Sequence, residues 1–285
     1  ALPEVFVTLI AIFYKKRFKF IISKHLDSLI FEGSYGQNRL LSGLFIEKII
    51  FKTADHIIFI SKNVKKYFLS KINNQRNKST VIYYGIDKNY FSYQRQIKKK
   101  YKYLRENNKQ VIILNIARHI KQKKLDILID AFEEFLKKNK NSKLILVGGG
   151  PETSKLKKYA KDLNIFNKIY WIKYTENIPE LFKLSNLFCL TSKYEGLGLV
   201  LLESLLLKIP VVTINRSAMS EIIKHKSNGI LLKSSFTPKD LSNAFHNTIF
   251  NEKLKFKIIK NGSLTIKRKF SLRKMYLSTM KIYNN

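Results

Sequence analysis

The sequence predicts an α/β protein built from parallel sheets that carry helices on both faces. Two observations indicate this fold. From residue 110 onward, short apolar runs rich in β-branched residues alternate with longer amphipathic runs of helical period, a pattern typical of βαβ units. A looser version of the same alternation precedes residue 85. We therefore predict two Rossmann-like domains, of which the first is incomplete by several strands.

The first domain is predicted over residues 1–92 and starts with a helix. The apolar run at residues 5–14 is shorter than the ~20 residues that a membrane-spanning helix needs, and its basic cluster follows it, unlike that of a signal peptide. We interpret this run as a buried helix, with membrane insertion as the alternative. Ser61 is a suitable N-cap for the third helix. The predicted elements are helix 2–14, strand 18–23, helix 39–53, strand 56–60, helix 61–71 and strand 80–84.

The second domain is predicted over residues 110–268. It is preceded by residues 93–109, which are strongly basic and lose apolar periodicity, so we predict a solvated linker there. A last helix is predicted within residues 269–285, with Ser271 as its N-cap. The predicted elements are strand 111–117, helix 124–139, strand 143–148, helix 152–163, strand 168–172, helix 177–185, strand 187–191, helix 198–207, strand 210–214 and helices 238–250, 252–268 and 271–283.

The composition narrows the classes of function. With 285 residues, of which 45% are hydrophobic, the chain is long enough to bury a core. One cysteine and five histidines support neither a disulfide framework nor a structural metal site, and we interpret Cys189 as a small core residue. The net charge of +34 has three explanations, which we rank as genomic bias, docking on an anionic membrane surface and nucleic-acid binding.

Two carboxylates bracket a strand-to-helix turn in the second domain. Glu195 and Glu203 are separated by seven residues and lie on either side of a predicted helix start at about Gly198. The glycines let the backbone approach a bound group, and a helix N-terminus offers free N–H donors to phosphate. Such a turn suits a sugar nucleotide, whose hydroxyls would donate to the carboxylates. On spacing alone, an ordinary Glu-Gly turn and a solvated helix glutamate are the alternative.

Around these residues the sequence resembles the retaining glycosyltransferases of family 4, which have the GT-B fold. The resemblance runs from about residue 18 to the C-terminus and is specific in the second half. It is carried by a Glu-x7-Glu pair, a Pro-Val-Val strand, a third glutamate, an Asn-Gly turn, an Arg-x4-Lys loop and a strand that ends in glycines. The glutamate pair is Glu195 and Glu203, the strand is residues 210–212, and the third glutamate is Glu221. The Asn-Gly turn is Asn228 and Gly229, the Arg-x4-Lys loop runs from Arg118 to Lys123, and the strand that ends in glycines is residues 144–150.

The resemblance implies a role for each candidate residue. Arg118 and Lys123 would hold the diphosphate and stabilise the leaving nucleotide, a task performed elsewhere by a divalent ion. Glu203 would bind the ribose, and Glu195 would lie near the transferred sugar. His25 would also face that sugar, with a merely structural histidine as the alternative. Further contacts to the donor would come from Gly198, Leu199, Val200, Gly148, Gly149 and Tyr174.

The sequence departs from the family pattern at three points. The chain begins with Ala1, and the glycine-rich loop of the family's first domain has no counterpart, so we expect a fragment. Lys124 and Lys173 stand where the family usually has glycine. The resemblance implies that the last helix crosses back to the first domain.

The predicted function is that of a retaining glycosyltransferase. It would transfer a hexose from a UDP- or GDP-linked sugar to a glycan or lipid-linked acceptor, in polysaccharide or lipopolysaccharide-type synthesis. The nucleotide sugar is a substrate, and neither a cofactor, a metal nor a nucleic-acid partner is predicted. We expect a cytoplasmic enzyme at the inner face of an anionic membrane. The alternative is a non-catalytic GT-B-like binding module or partner subunit, which the short first domain motivates.

Overall fold

The computed structural model describes residues 2–13, 18–26, 37–72, 78–87, 89 and 100–284. The chain divides into two units. Unit 1 comprises Ala1–Tyr84, Glu195–Leu197 and Arg273–Asn285, and unit 2 comprises Gly85–Tyr194 and Gly198–Leu272.

The described elements alternate between helix and strand along the chain. They are α1 (Leu2–Phe13), β1 (Ile21–Lys24), α2 (Gln37–Thr53), β2 (His56–Phe59), α3 (Lys62–Lys71), β3 (Ser79–Val81), β4 (Val111–Ile116), α4 (Leu125–Lys138), β5 (Ser142–Val147), α5 (Thr153–Asp162), β6 (Ile169–Ile172), α6 (Ile178–Leu184), β7 (Leu187–Leu190), α7 (Leu199–Leu206), β8 (Val211–Ile214), α8 (Met219–Ile222), β9 (Ile230–Leu232), α9 (Pro238–Phe250), α10 (Glu252–Lys269) and α11 (Leu272–Asn284). Short 3₁₀ turns lie at Lys102–Leu104, Lys121–Lys123 and Phe166–Lys168.

Unit 1 holds a parallel three-stranded sheet in the order β1-β2-β3. The C-terminal helix α11 packs on this sheet, where Ile282 joins Ile58 and Ile82 in a buried cluster. Ser61 caps α3, because its side chain accepts a hydrogen bond of 3.1 Å from the Val64 amide. The predicted N-cap role of Ser61 is therefore confirmed.

A buried ion pair lies at the carboxyl end of β1. The Lys24 ammonium is 2.9 Å from a carboxylate oxygen of Glu47, and both side chains are almost fully buried. The Lys24 nitrogen also lies 5.5 Å from the ring centroid of Phe68 and 6.0 Å from that of Phe51. The ammonium is thus held by one carboxylate and two aromatic faces, which compensate for part of its lost hydration.

The first helix differs from the prediction of a buried helix. Thr8 and Ala11 are buried, but Phe6 is 65% exposed and Phe13 is 77% exposed. An apolar run therefore forms the predicted helix while burying only one narrow side of its described part. Among the described residues, no helix is long and apolar enough to cross a membrane.

Unit 2 is a six-stranded parallel sheet in the order β6-β5-β4-β7-β8-β9. The chain runs outward from β4 to β6 in one direction and from β7 to β9 in the other, so the strand order reverses between β4 and β7. The central strands are apolar and buried on both faces, and Cys189 in β7 is fully buried as predicted. Such a reversal opens a crevice at the carboxyl ends of the two central strands.

Residues 100–109, predicted as part of a solvated linker, belong to unit 2 and pack on the rest of it. Tyr101 and Leu104 are buried. The backbone amides of Lys100 and Tyr101 donate to the Glu180 carboxylate, and the Arg105 guanidinium donates to the Leu184 carbonyl oxygen. These hydrogen bonds were not predicted, because a stretch of basic composition is ordinarily solvated. Residues 93–99 of the predicted linker lie outside the described residues.

The predicted element boundaries hold closely in unit 2, where the ends of the predicted strands and long helices differ from the observed ones by at most one residue. In unit 1 the first strand starts at Ile21 rather than at Phe18. The backbone of Phe20 exchanges hydrogen bonds with Asp55 rather than with a strand. The Lys19 side chain, also before the strand, donates a hydrogen bond of 2.6 Å to the carbonyl oxygen of Ile282.

Candidate functional site

Two loops of unit 2 meet at the crevice between β4 and β7. We call residues 118–124, after β4, the cationic loop, and residues 191–194, after β7, the β7 loop. The Lys193 amide donates to the Gln122 carbonyl oxygen at 2.8 Å, and the Gln122 side-chain amide donates to the Tyr194 carbonyl oxygen at 2.8 Å. The Thr191 hydroxyl lies 2.9 Å from the Lys123 carbonyl oxygen and 3.1 Å from that of Lys124. The loops are therefore joined by backbone and side-chain hydrogen bonds.

The cationic loop carries both predicted phosphate-binding residues. Arg118 is exposed at its start, and Lys123 is half-buried at the end of the 3₁₀ turn. Lys124 follows with φ 51° and ψ 45°, in the left-handed region. The backbone there adopts the conformation that a glycine favours, so Lys124 keeps the loop shape at the expense of backbone strain.

The glycine turn after β5 packs against the cationic loop. Gly148 has φ +134°, and a Cβ added there would lie 2.0 Å from the Ala117 carbonyl oxygen. A Cβ on Gly149 would meet nothing closer than the Lys173 Cγ at 3.5 Å. Gly148 is thus required by the fold itself, whereas a Cβ on Gly149 would make only an ordinary van der Waals contact.

The helix that follows the β7 loop carries the second predicted carboxylate. Gly198 precedes α7 in the left-handed conformation with φ 86°, and Leu199 and Val200 form its first turn. The amides of a first helical turn have no partners within the helix, so they are available to an anion. Glu203 is half-buried farther along α7, and burial raises the pKa of its carboxyl.

The other predicted residues belong to unit 1 or to the edge of the unit 2 sheet. Glu195 and His25 both belong to unit 1. His25 directly follows β1 and is exposed; its Nδ1 is hydrogen-bonded to the Tyr84 hydroxyl, and burial raises the pKa of that hydroxyl. Tyr174 follows the edge strand β6 and is 76% exposed. The structure thus brings together the unit 2 residues around the β4–β7 crevice, with Tyr174 at the sheet edge.

Sequence reasoning missed two buried polar residues near this crevice. His119 is 1% exposed; its Nδ1 is 2.9 Å from the Thr153 hydroxyl, and its Nε2 has no hydrogen-bond partner within the described part of the chain. Burial, with the nearby charge of Lys157, lowers the pKa of His119. The fully buried hydroxyl of Ser192 also has no partner within the described residues. The position of His119 directly after Arg118 was the available clue.

Metal-binding side chains are not gathered in the described part of the chain. Among the residues that the structure describes, no group of three or more His, Cys, Asp or Glu side chains is placed to hold a metal ion. The charged side chains of the cationic loop are instead four cations, Arg118, Lys121, Lys123 and Lys124, and the helix after the β7 loop carries the partly buried carboxylate of Glu203.

The fold and the crevice define an α/β protein whose parallel sheet presents cations, free amides and a carboxylate at a strand switch point. The chain belongs to the family described as glycosyl transferases group 1, whose model matches residues 96–265. The predicted membership of a glycosyltransferase family is therefore confirmed, and the retaining family 4 subclass stays a prediction.

Curated relatives agree with this family. The chain is 30% identical over 184 residues to an uncharacterized glycosyltransferase of Methanocaldococcus jannaschii, covering 64% of this chain and 44% of that protein. It is 25% identical over 289 residues to the O-antigen biosynthesis glycosyltransferase WclY of Escherichia coli, covering 99% of this chain and 76% of that protein. The chain spans 35% to 59% of the length of the first four curated relatives it matches.

A solved structure agrees with the predicted fold class. Anabaena HepE in complex with UDP and glucose matches with a TM-score of 0.81 and 18% identity, covering 99% of this chain and 75% of that chain. At this identity the match establishes the fold alone. The predicted GT-B class with parallel sheets is confirmed.

Proposed function

We propose that this protein is a retaining glycosyltransferase that uses a nucleotide-diphosphate sugar, without a divalent metal, to extend a glycan or lipid-linked acceptor of the cell surface. Family membership supports the transfer of a sugar. The complex of HepE with UDP and glucose favours a uridine nucleotide over a guanosine nucleotide. The likeness to WclY, an O-antigen biosynthesis glycosyltransferase, favours an envelope glycan as the acceptor.

The observation that carries this proposal is the joining of the cationic loop to the β7 loop at the strand switch point. Lys123 and Arg118 bring positive charge to the crevice. The amides of Leu199 and Val200, which have no partner within α7, also suit a phosphate group, because a helix N-terminus stabilises phosphate. A nucleoside diphosphate has the two features that this surface suits, namely a multiply charged anion and a ribose with hydroxyl donors for Glu203.

In the proposed reaction the bond between the anomeric carbon and the diphosphate oxygen breaks while a bond to the acceptor oxygen forms. Both events occur on one face of the sugar, and the departing phosphate takes the acceptor's proton. Arg118 and Lys123 stabilise the negative charge that develops on the departing diphosphate, and Glu195 contacts the transferred sugar. His25 is proposed to face the same sugar. Gly149 and Tyr174 are proposed to contact the donor.

Calorimetric titration with UDP and with GDP, in the presence of EDTA, tests the donor site. We expect wild-type binding to one nucleotide and its loss in the double variant Lys123→Ala/Glu203→Ala. Lys138→Ala, which removes an exposed lysine at the end of α4, is the control for the loss of a lysine and should bind normally. Equal binding by wild type and the double variant would refute the site. An inverted anomer among the transfer products, measured by NMR, would refute the retaining mechanism.

We further propose that the protein docks on an anionic membrane through α10. Lys253, Lys257 and Lys260 are exposed and share one side of this helix. Phe256 lies one helical turn before Lys260, at the border of this side of the helix, and is 72% exposed. Lysines attract anionic headgroups, and an exposed aromatic ring among them favours insertion at the lipid interface over a purely solvated surface.

Co-sedimentation with phosphatidylglycerol-containing vesicles tests this docking. Replacing Lys253, Lys257 and Lys260 with Gln should weaken binding by ~100-fold or more, because each lysine near such a surface contributes about 1 kcal/mol. The matched control replaces three exposed lysines of α5 with Gln. These are Lys155, Lys158 and Lys161. An equal loss in both triple variants would mean that binding follows net charge alone, and would refute docking through α10.

A further inference from the structure

We propose that Gln122 and Thr191 are positioning residues that hold Lys123 against the donor diphosphate by locking the cationic loop to the β7 loop. This inference rests on the proposed donor site. Neither residue is itself expected to touch the nucleotide. Their role follows from hydrogen bonds that join segments distant in sequence but adjacent at the crevice.

Thr191 holds the end of the cationic loop. It is 3% exposed and is the first residue after β7. Its hydroxyl lies within hydrogen-bond distance of two successive carbonyl oxygens, those of Lys123 and Lys124. Lys124 is the residue in the left-handed conformation, which a non-glycine residue adopts only when its surroundings impose it. The Thr191 hydroxyl is one such constraint, because its single O–H donates to the carbonyl oxygen of Lys123 or of Lys124, or is shared between the two.

Gln122 holds the middle of the same loop through both its backbone and its side chain. Its carbonyl oxygen accepts from the Lys193 amide, and its side-chain amide donates to the Tyr194 carbonyl oxygen, each at 2.8 Å. Tyr194 immediately precedes Glu195 in the chain. Gln122 therefore fixes Lys123, its neighbour in the chain, relative to the backbone of the β7 loop.

The local bonds of the loop do not suffice for this positioning. Within the 3₁₀ turn, the Lys123 amide donates to the Ile120 carbonyl oxygen at 2.9 Å, and the Lys124 amide donates to the Lys121 carbonyl oxygen at 3.3 Å. A turn of three residues held by such bonds opens readily, since 3₁₀ geometry is poor and short. Anchoring to β7, a fully buried central strand, gives the loop the rigidity of the sheet.

The test uses Thr191→Val, which keeps the side-chain shape and removes the hydroxyl. Dissociation constants for UDP and for uridine are measured by calorimetry. We expect UDP binding to weaken about tenfold, the effect of losing well-placed charge-assisted contacts, while uridine binding stays within about twofold. Thr191→Ser should restore UDP binding. In a Lys123→Ala background, Thr191→Val should cause no further loss, because Thr191 acts through Lys123.

Gln122→Ala provides a second arm, since it removes the side-chain bond to Tyr194 while keeping the backbone bond. We expect a loss of UDP affinity smaller than that of Thr191→Val, again without an effect on uridine. The stability control is Thr248→Val, which removes a buried hydroxyl that donates to the Ala244 carbonyl oxygen at 2.6 Å in α9. It should lower the melting temperature without changing the ratio of UDP to uridine affinity.

The outcomes separate this inference from the function on which it rests. If the wild-type chain binds neither UDP nor GDP, the proposed function fails and this inference fails with it. If the wild type binds UDP but Thr191→Val leaves the ratio of UDP to uridine affinity unchanged, the positioning role alone is overturned. An equal, additive loss of UDP affinity in the Lys123→Ala background would also overturn it.

Discussion

Replacing Glu203 with Gln should make the protein more stable and its donor binding weaker. Burial raises the pKa of the Glu203 carboxyl, so its charged form is less favourable in the folded chain than in the unfolded chain. The stability penalty is therefore present at pH values above the raised pKa. It disappears as the pH falls below the pKa of an unfolded glutamate, about 4.3. At neutral pH, Glu203→Gln should raise the melting temperature, and the two proteins should converge in acid.

The effect on donor binding has the opposite sign. In the proposed complex two ribose hydroxyls donate to the Glu203 carboxylate. A hydrogen bond to a charged group contributes about 1 kcal/mol more than one between neutral groups, so Glu203→Gln should lose about 2 kcal/mol. That loss corresponds to about a 30-fold weaker dissociation constant for UDP. Pyrophosphate has no ribose, so its affinity should not change.

Calorimetry with UDP and with pyrophosphate, together with thermal unfolding across the pH range, measures both effects in one variant. Glu221→Gln is the matched control, because Glu221 is a half-buried glutamate on the short helix α8, and it should leave UDP binding unchanged. An equal loss of UDP and pyrophosphate affinity would show that Glu203 supports the phosphate loop rather than the ribose. A lower melting temperature in Glu203→Gln would refute the argument from burial.

Three further predictions concern the fold around the site. Gly148→Ala should destabilise the protein by about 3 kcal/mol or more in urea unfolding, because the added Cβ would clash with backbone at a positive φ; Gly149→Ala should unfold like the wild type, and a similar loss in both would contradict this. Cys189 should not react with thiol reagents in the folded protein, since burial raises its thiol pKa; rapid labelling without denaturant would be the contrary result. Glu47→Gln should lower the unfolding free energy by about 3–5 kcal/mol, because it leaves the buried Lys24 ammonium without its carboxylate. Adding Lys24→Met should recover much of that loss. An undiminished loss in the double variant would argue against a charge effect.

The sequence was sufficient to predict most elements of unit 2, with the short helix α8 and the edge strand β9 as the exceptions, because their determinants are local. Apolar runs and helical periods lie within single segments, and the parallel order brings the ends of β4 and β7 to one crevice. Arg118 and Lys123 could therefore be predicted to lie after the carboxyl end of β4, and Glu203 could be predicted to lie on the helix that follows β7. Their roles toward a donor stay predictions.

The loop-to-loop contacts could not be predicted in the same way. The bond from Gln122 to Tyr194 spans 72 positions and that from Thr191 to Lys123 spans 68, and glutamine and threonine are common surface residues. The hydrogen bonds that hold residues 100–109 to the rest of unit 2 were not predicted either, since a basic stretch is ordinarily solvated. The prediction of a buried first helix was wrong because it rested on the apolar composition of the run, whereas Phe6 and Phe13 are exposed.

The reversed strand order of unit 2 has a consequence for how the nascent chain folds. During synthesis β4, β5 and β6 are the first strands of unit 2 to emerge, and they can pair with one another through short crossovers. The other edge of β4, where Ile113 and Leu114 pair with Leu187 and Phe188, stays open until β7 leaves the ribosome. An unpaired edge in such an apolar strand invites aggregation. Pairing across the crevice therefore waits for β7, and until then the open edge of β4 is a vulnerable part of the growing sheet.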